Sequence, residues 1–251
     1  MTGNLTKSQS KYIKSLQQKK YRERYGQFVI EGEKILKEAL AEGGFVDYVV
    51  STGAEIAVPD SFSGNHLFTD KRTFSSLSTL KSPAGVLAVC DMATYGELDR
   101  EKPVLALDGV SDPGNVGTLI RLCDWFGIEQ LFCGDGTADV YNPKVVQATM
   151  GSIFRMAFGR GDLEEFAKEN AKIRPVIAAD MAGENTFEFK FPENFILVMG
   201  SESHGPSNRV SALAGHTVTI PKYGKSESLN VAVASGIILS EFRKQFPRVL
   251  Q

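Results

Sequence analysis

The chain has 251 residues, 42% hydrophobic and 23% charged, with a net charge of −2, the make-up of a globular protein with room for two domains rather than one. No apolar run approaches the ~20 residues a bilayer span needs, and the amino terminus lacks the apolar core of a secretion signal. Cys90, Cys123 and Cys133, like His66, His204 and His216, are scattered without metal-ligand spacing. They give no zinc motif and read as reduced thiols of a cytoplasmic protein.

In chain order, residues 7–24 are polar and helix-permissive, with Tyr12, Ile13, Leu16 and Tyr21 as a sparse apolar stripe. Residues 28–30 form a short strand, and a helix then runs through Ile35, Leu36, Ala39 and Leu40 to a stop at Gly43 and Gly44. A β-branched strand is predicted over 46–51, a loop over 59–64, a short helix from Phe74 and a buried strand over 85–90. Alternating strands and helices describe a small α/β domain. A polar stretch over 94–102 reads as a linker. Beyond it, strands are predicted at 104–108, 130–133, 176–179, 195–199 and 217–220. Helices are predicted at 118–126, 143–150 and 229–246, the last followed by Pro247. The short apolar runs between helices make this a second, larger α/β domain with a mainly parallel sheet.

Charge is unevenly placed along this frame. Residues 1–31 hold Lys7, Lys11, Lys14, Lys19, Lys20, Arg22 and Arg24 against Glu23 and Glu31, a surplus of five, so the remainder carries −7. Charge alone reads as a solvated basic helix face. A phosphate-tracking arm is the functional alternative and needs support from elsewhere.

In open α/β sheets, ligands bind beyond the carboxyl ends of the strands. Three such ends are rich in glycine and polar residues: 112–121, 200–205 and 221–230. Taken singly, each has a plain structural explanation. Gly114 and Gly117 suit a strand-to-helix turn with Asn115 as its N-cap, Gly200 and Gly205 suit a chain reversal, and Ser228 and Asn230 suit a cap on the last helix. Three in succession point to a ligand site. Neither a dinucleotide fingerprint nor a phosphate-binding loop is present.

The residues in these loops resemble the SpoU (TrmH-type) branch of the SPOUT RNA methyltransferases. Asn115, Gly117 and Arg121 match the first family motif. Leu197 to Gly200 with Glu202 and Gly205 match the second, and Ile220, Pro221, Ser228, Leu229 and Asn230 match the third. The likeness covers residues 103–246, and the 23S rRNA 2'-O-methyltransferases of the branch are nearest. Ser203, His204 and Pro206 replace the more usual glycine-rich continuation, where family contacts are largely main-chain. Residues 1–95 resemble the family's L30e-like RNA-binding module, through Lys11 to Leu16, Phe28 to Gly32, and Leu80 to Val86.

The resemblance implies an L30e-like domain over 1–95, a methyltransferase domain over 103–251 with a trefoil knot, and a homodimer whose active site is completed across the interface. It implies S-adenosylmethionine as cofactor, with no metal, held around Met199, Gly200, Ile220 and Leu229. Arg121, Asn115, Glu202, Ser228 and Asn230 take the catalytic positions. An arginine is a poor base, so Arg121 reads as a clamp on the target phosphate that stabilises charge on the 2'-oxygen, with the family's base role as the alternative. The basic segment then has an RNA-facing rationale. A tRNA substrate is a rival within the class, and a non-catalytic RNA-binding or ribosome-assembly protein is a rival outside it. A small-molecule enzyme would leave the basic segment unexplained.

Overall fold

The computed structural model describes residues 2–53, 62–201 and 203–247, so much of the loop expected over 59–64 lies outside the described residues. The chain divides into two compact units, Met1–Ala93 with Asp139–Arg155, and Thr94–Ala138 with Met156–Gln251.

The first unit is built on a mixed five-stranded sheet of order β1-β4-β3-β5-β2. Its strands are β1 (Thr2–Asn4), β2 (Gln27–Glu31), β3 (Val46–Ser51), β4 (Asn65–Phe68) and β5 (Val86–Asp91). The helices are α1 (Lys7–Ser15), α2 (Lys19–Tyr25), α3 (Glu33–Ala41) and α4 (Lys71–Leu77). Ile13 and Leu16 bury against Val50, Leu67, Phe74, Leu77, Leu87 and Val89. Each such side chain contributes about 1.5–3 kcal/mol, so Ile13 and Leu16 of the sparse stripe are core residues. Glu31 is buried and ties β2 to the loop before β5. Its carboxylate accepts from Ser78 Oγ at 2.6 Å and Ala84 N at 3.1 Å.

The stretch 7–24 is two helices rather than one, for a local reason. Thr6 opens α1 with a capping box to Gln9, and α1 ends at Ser15. The carbonyls of Leu16 and Gln17, orphaned there, accept from Arg22 Nη1 at 3.0 and 2.9 Å. Arg22 Nη2 pairs with Asp139 at 2.5 Å, and the residue is only 3% exposed. Arg22 therefore cannot belong to the phosphate-facing set the sequence assigns it to: its guanidinium is spent on the inside of the fold. Gly26, at φ 64°, ends α2 in the left-handed conformation that favours glycine.

The segment Asp139–Arg155 packs with this unit. It carries α6 (Pro143–Thr149) and a 3₁₀ turn, Ser152–Arg155. Tyr141 lies 4.9 Å from the Phe28 ring and donates to Ala93 O at 3.1 Å. Arg155 pairs with Glu38 at 2.7 Å.

The second unit is a six-stranded parallel sheet of order β11-β9-β10-β6-β7-β8. The strands are β6 (Val104–Asp108), β7 (Gln130–Cys133), β8 (Ala157–Arg160), β9 (Val176–Asn185), β10 (Ile196–Gly200) and β11 (His216–Thr219). The helices are α5 (Pro113–Trp125), α7 (Leu163–Asn170), α8 (Asn208–Ser211) and α9 (Val231–Gln245). Residues 104–107 and 196–198 are wholly buried, as strands covered on both faces must be. Val104, Ala106, Val176, Ile196 and Val198 pack on Leu163 and Ala167 of α7. Phe242 of α9 meets Phe195 edge-on at 4.8 Å.

Helix α5 starts at Pro113, five residues before the predicted start, because Asp112 caps it and proline suits the first turn. Strand β8 and helices α7 and α8 were not predicted. The stretch read as a linker is fastened down instead: buried Arg174 donates to the carbonyls of Asp99 and Lys102, and Gln130 binds Asp99 at both ends of its amide.

Arg22→Ala removes the cation from Asp139 and the donor from two carbonyls. We expect a loss of about 3 kcal/mol, read as a lowered urea midpoint, whereas exposed Lys20→Ala should move it by under about 0.5 kcal/mol. Equal, small shifts for both would return Arg22 to the surface.

Candidate active site

The site is built at the carboxyl end of the parallel sheet, where β6 and β10 run side by side. Met199 pairs with Leu107 and Gly200 with Asp108. Asp108 closes this corner: its carboxylate accepts the Ser207 backbone N–H at 2.7 Å, pinning the far end of the 201–207 loop to the neighbouring strand. Neither Asp108 nor Ser207 was singled out from the sequence. A lone aspartate ending an apolar strand was the only available signal.

Gly200 is required by close approach. A Cβ placed there would lie 1.8 Å from the Gly205 carbonyl carbon and 2.0 Å from Pro206 N. The loop folds back on itself through the Ser201–Gly205 bridge, with Gly205 N donating to Ser201 O at 2.9 Å. Met199 is buried. Glu202, assigned a catalytic position from the motif, lies outside the described residues.

The first loop ends in α5. Asp112 Oδ1 accepts from Asn115 N at 2.8 Å, so Asp112 is the N-cap and Asn115 sits one turn in. This overturns the capping explanation of Asn115. Its side chain serves another contact: Asn115 Oδ1 accepts from Asn230 Nδ2 at 2.9 Å. Asn230 has two roles, since its Oδ1 caps α9 by accepting from Ala232 N at 2.9 Å and Val233 N at 3.3 Å. One planar amide thus starts α9 and joins it to α5.

The third loop, 222–230, is exposed throughout. Ile220 is half-buried, Leu229 is 48% exposed, and the Ser228 carbonyl accepts from Ser226 Oγ at 3.2 Å. An apolar side chain held open beside bare backbone is surface a ligand can cover. Arg121 takes no part in the Asn115–Asn230 hydrogen bond. It is exposed and has no hydrogen bond or ion pair among the described residues. Gly114, Thr118, Arg121 and Trp125 fall at helical spacing along one stripe of α5, and Trp125 is 82% exposed.

The structure therefore brings together Asn115 with Asn230, and Asp108 with Gly200 and Ser207, but leaves Arg121 facing outward. Among the described residues no group of three or more His, Cys, Asp or Glu could hold a metal ion. No described helix is long and apolar enough to cross a membrane. The three cysteines are buried and form no disulfide, and burial pushes the Cys90 and Cys123 thiols up. In the first unit Lys7, Lys11, Lys14, Lys19, Lys20 and Arg24 are all exposed.

The two roles of Asn230 separate by substitution. Asn230→Ala loses the cap and should cost about 1 kcal/mol, a drop of roughly 2–4 °C in melting temperature. Asn230→Asp keeps the capping oxygens and loses only the donor to Asn115, so its melting temperature should stay near that of the unaltered protein. Equal drops would place the stability in the Asn115 contact.

The SpoU rRNA Methylase family matches residues 102–240, and an MRM3-like substrate binding domain matches residues 7–88. The 23S rRNA (guanosine(2553)-2'-O)-methyltransferase RlmP of Bacillus subtilis is 33% identical over 92% of this chain and 94% of its own length. The fold is similar to that of an AdoMet-bound rRNA methyltransferase from Sinorhizobium meliloti, at a TM-score of 0.86 and 30% identity over 99% of both chains. A TrmH-family structure from Porphyromonas gingivalis gives a TM-score of 0.87 at 37% identity, over 96% of this chain and 99% of that one. With its three strand-end loops in the order and spacing described, the chain belongs to the SpoU rRNA methylase family.

Proposed function

We infer that this chain is an S-adenosylmethionine-dependent RNA ribose 2'-O-methyltransferase acting on 23S rRNA. The likeness to a 23S rRNA 2'-O-methyltransferase over 92% of the chain carries this reading, and the Gly200, Asn115 and Asn230 arrangement agrees with it.

The residues present suit the cofactor. Gly200 lets the turn at Gly205 and Pro206 close against the end of β10, and Ile220 and Leu229 offer apolar surface on the third loop, suited to flank an adenine. When bound, S-adenosylmethionine supplies a methyl group already activated on a sulfonium. The chain's own residues bind and orient. Asp108 holds the second loop closed through Ser207 N. Asn115 and Asn230 lock α5 against the start of α9, and Ser228 shapes the loop between them. We assign Glu202 to the second loop, as a partner for an arginine or a backbone donor. Arg121, permanently cationic, clamps the target phosphate and stabilises charge growing on the 2'-oxygen. The clamped phosphate is the acceptor we assign to the hydroxyl proton.

A homodimer completes this reading. Arg121 and exposed Trp125 share one stripe of α5, and Val233 on α9 is also exposed, so a second protomer would cover the apolar surface and bring RNA to Arg121. Family membership supports a trefoil knot as part of this reading. Residues 1–95 serve as the L30e-like RNA substrate-binding domain and 103–251 as the methyltransferase domain, with Lys7, Lys11, Lys14, Lys19, Lys20 and Arg24 toward RNA phosphates. A cytoplasmic location fits three buried cysteines that form no disulfide.

Calorimetric titration with S-adenosylmethionine in the presence of a chelator should show binding. Mapping of 2'-O-methyl groups in 23S rRNA should show one that is lost when the gene is removed. Arg121→Ala should keep cofactor affinity and lose at least about 100-fold in kcat. Binding that requires a divalent ion, or an Arg121→Ala rate within a few-fold of the unaltered enzyme, would contradict these assignments.

A further inference from the structure

Beside the exposed cations of α1 and α2 lies an ordered group of tyrosines. The Tyr21 and Tyr25 rings are parallel within 11° at 6.3 Å, and Tyr12 meets Tyr25 edge-on at 5.0 Å. Lys20 Nζ sits 4.8 Å from the centroid of the Tyr21 ring, and the Arg24 guanidinium carbon 5.5 Å from that of the Tyr25 ring. Tyr25 is 43% exposed.

The group is anchored from below. The Tyr12 hydroxyl donates to Gln27 Oε1, and Gln27 Nε2 donates to Asp91 Oδ1 at 2.7 Å. Both partners belong to paired strands of the sheet, since Gln27 faces Asp91 in the β2–β5 register. Burial, with Asp47 nearby, pushes the Tyr12 phenol up to about 12, so it remains a donor at neutral pH. Tyr12 is therefore held, and it holds Tyr25 in turn.

We propose that Tyr21 and Tyr25, flanked by Lys20 and Arg24, form a stacking platform for unpaired bases of the RNA substrate. This rests on the RNA methyltransferase reading and names the part of the RNA that the first unit engages. Aromatic faces bind bases that are free to leave their own stack, which duplex RNA does not offer. Interleaved cations take the adjoining phosphates. A solvated basic helix face would need neither parallel rings nor a hydrogen-bonded anchor for them. The seven-residue helix α2 places Tyr21 and Tyr25 one turn apart on one side, with Lys20 and Arg24 each beside a ring.

The two parts of such a site respond differently to salt. Stacking is uncharged, so its loss lowers affinity without changing the slope of log K against log salt. Each lost phosphate contact on a single strand lowers that slope by about 0.7. The test uses the full chain and a short single-stranded RNA carrying 2-aminopurine, with a hairpin of the same composition as control. The unaltered protein should bind the single strand more tightly than the hairpin stem and quench its fluorescence. Tyr25→Leu should weaken binding by about 5- to 150-fold with the salt slope intact, and Tyr25→Phe should restore it. Lys20→Ala should flatten the slope. Unchanged S-adenosylmethionine affinity and circular dichroism show that each variant is folded. Undiminished affinity in Tyr25→Leu, no preference for the single strand, or a loss accompanied by a flattened slope each overturns the platform while leaving the enzyme reading in place. Failure of the unaltered protein to bind any RNA overturns both.

Discussion

The pairing of β6 with β10 at the middle of the parallel sheet is the constraint on which the site depends. Both strands are buried up to the half-buried Asp108, and their register sets Asp108 beside Gly200. Because the strands run the same way, every loop that leaves them emerges at one end of the sheet. The 201–207 loop can then be fastened across the gap by the Asp108 carboxylate. Its tight return passes so close to Gly200 that any side chain there would overlap the backbone of Gly205 and Pro206. Interior packing of ordinary valines and leucines thus brings this close turn to the carboxyl end of the sheet.

The helices of the site are fixed by the groups that cap them. Helix α5 is started by Asp112 and α9 by Asn230. A cap is worth about 1 kcal/mol, a modest sum, but Asn230 spends its second polar group on Asn115. The same amide therefore sets where α9 begins and how that start meets α5. This leaves the outward stripe of α5, with Arg121 and Trp125, for contacts made by other molecules. A permanently charged side chain that none of the described residues neutralises is well suited to meeting a phosphate.

The first unit shows how burial divides residues that look alike. Seven cations occur within residues 7–24, yet Arg22 points inward to two carbonyls and Asp139 while the other six are exposed. Its planar fork suits several acceptors at once, as a lysine in that place could not. The apolar members of the segment, Ile13 and Leu16, are core residues, so the basic face is presented by a folded scaffold and not by a loose arm.

Much was legible in the chain alone. Short β-branched and apolar runs between helical stretches predicted the parallel sheet, since strands buried on both faces need continuous hydrophobicity, and the order of glycine and polar residues after three strands marked the candidate site. The expected strands at 104–108, 130–133 and 217–220 lie within a residue of β6, β7 and β11. Less legible were β8, α7 and α8, whose few apolar residues earn their burial only from neighbours distant in sequence, such as Leu163 packing on β6 and β10. Position along a helix was also hidden: whether Asn115 capped α5 or lay one turn inside depended on Asp112 turning its carboxylate back to Asn115 N. The sequence by itself determined which residues are available to bind phosphate, backbone or ligand. Only the tertiary structure decided that Arg22 is an internal tie, that Asn115 reaches Asn230, and that Asp108 closes the loop beyond Gly200. Each of those outcomes depends on a partner many residues away, brought within hydrogen-bond distance by the packing of the core.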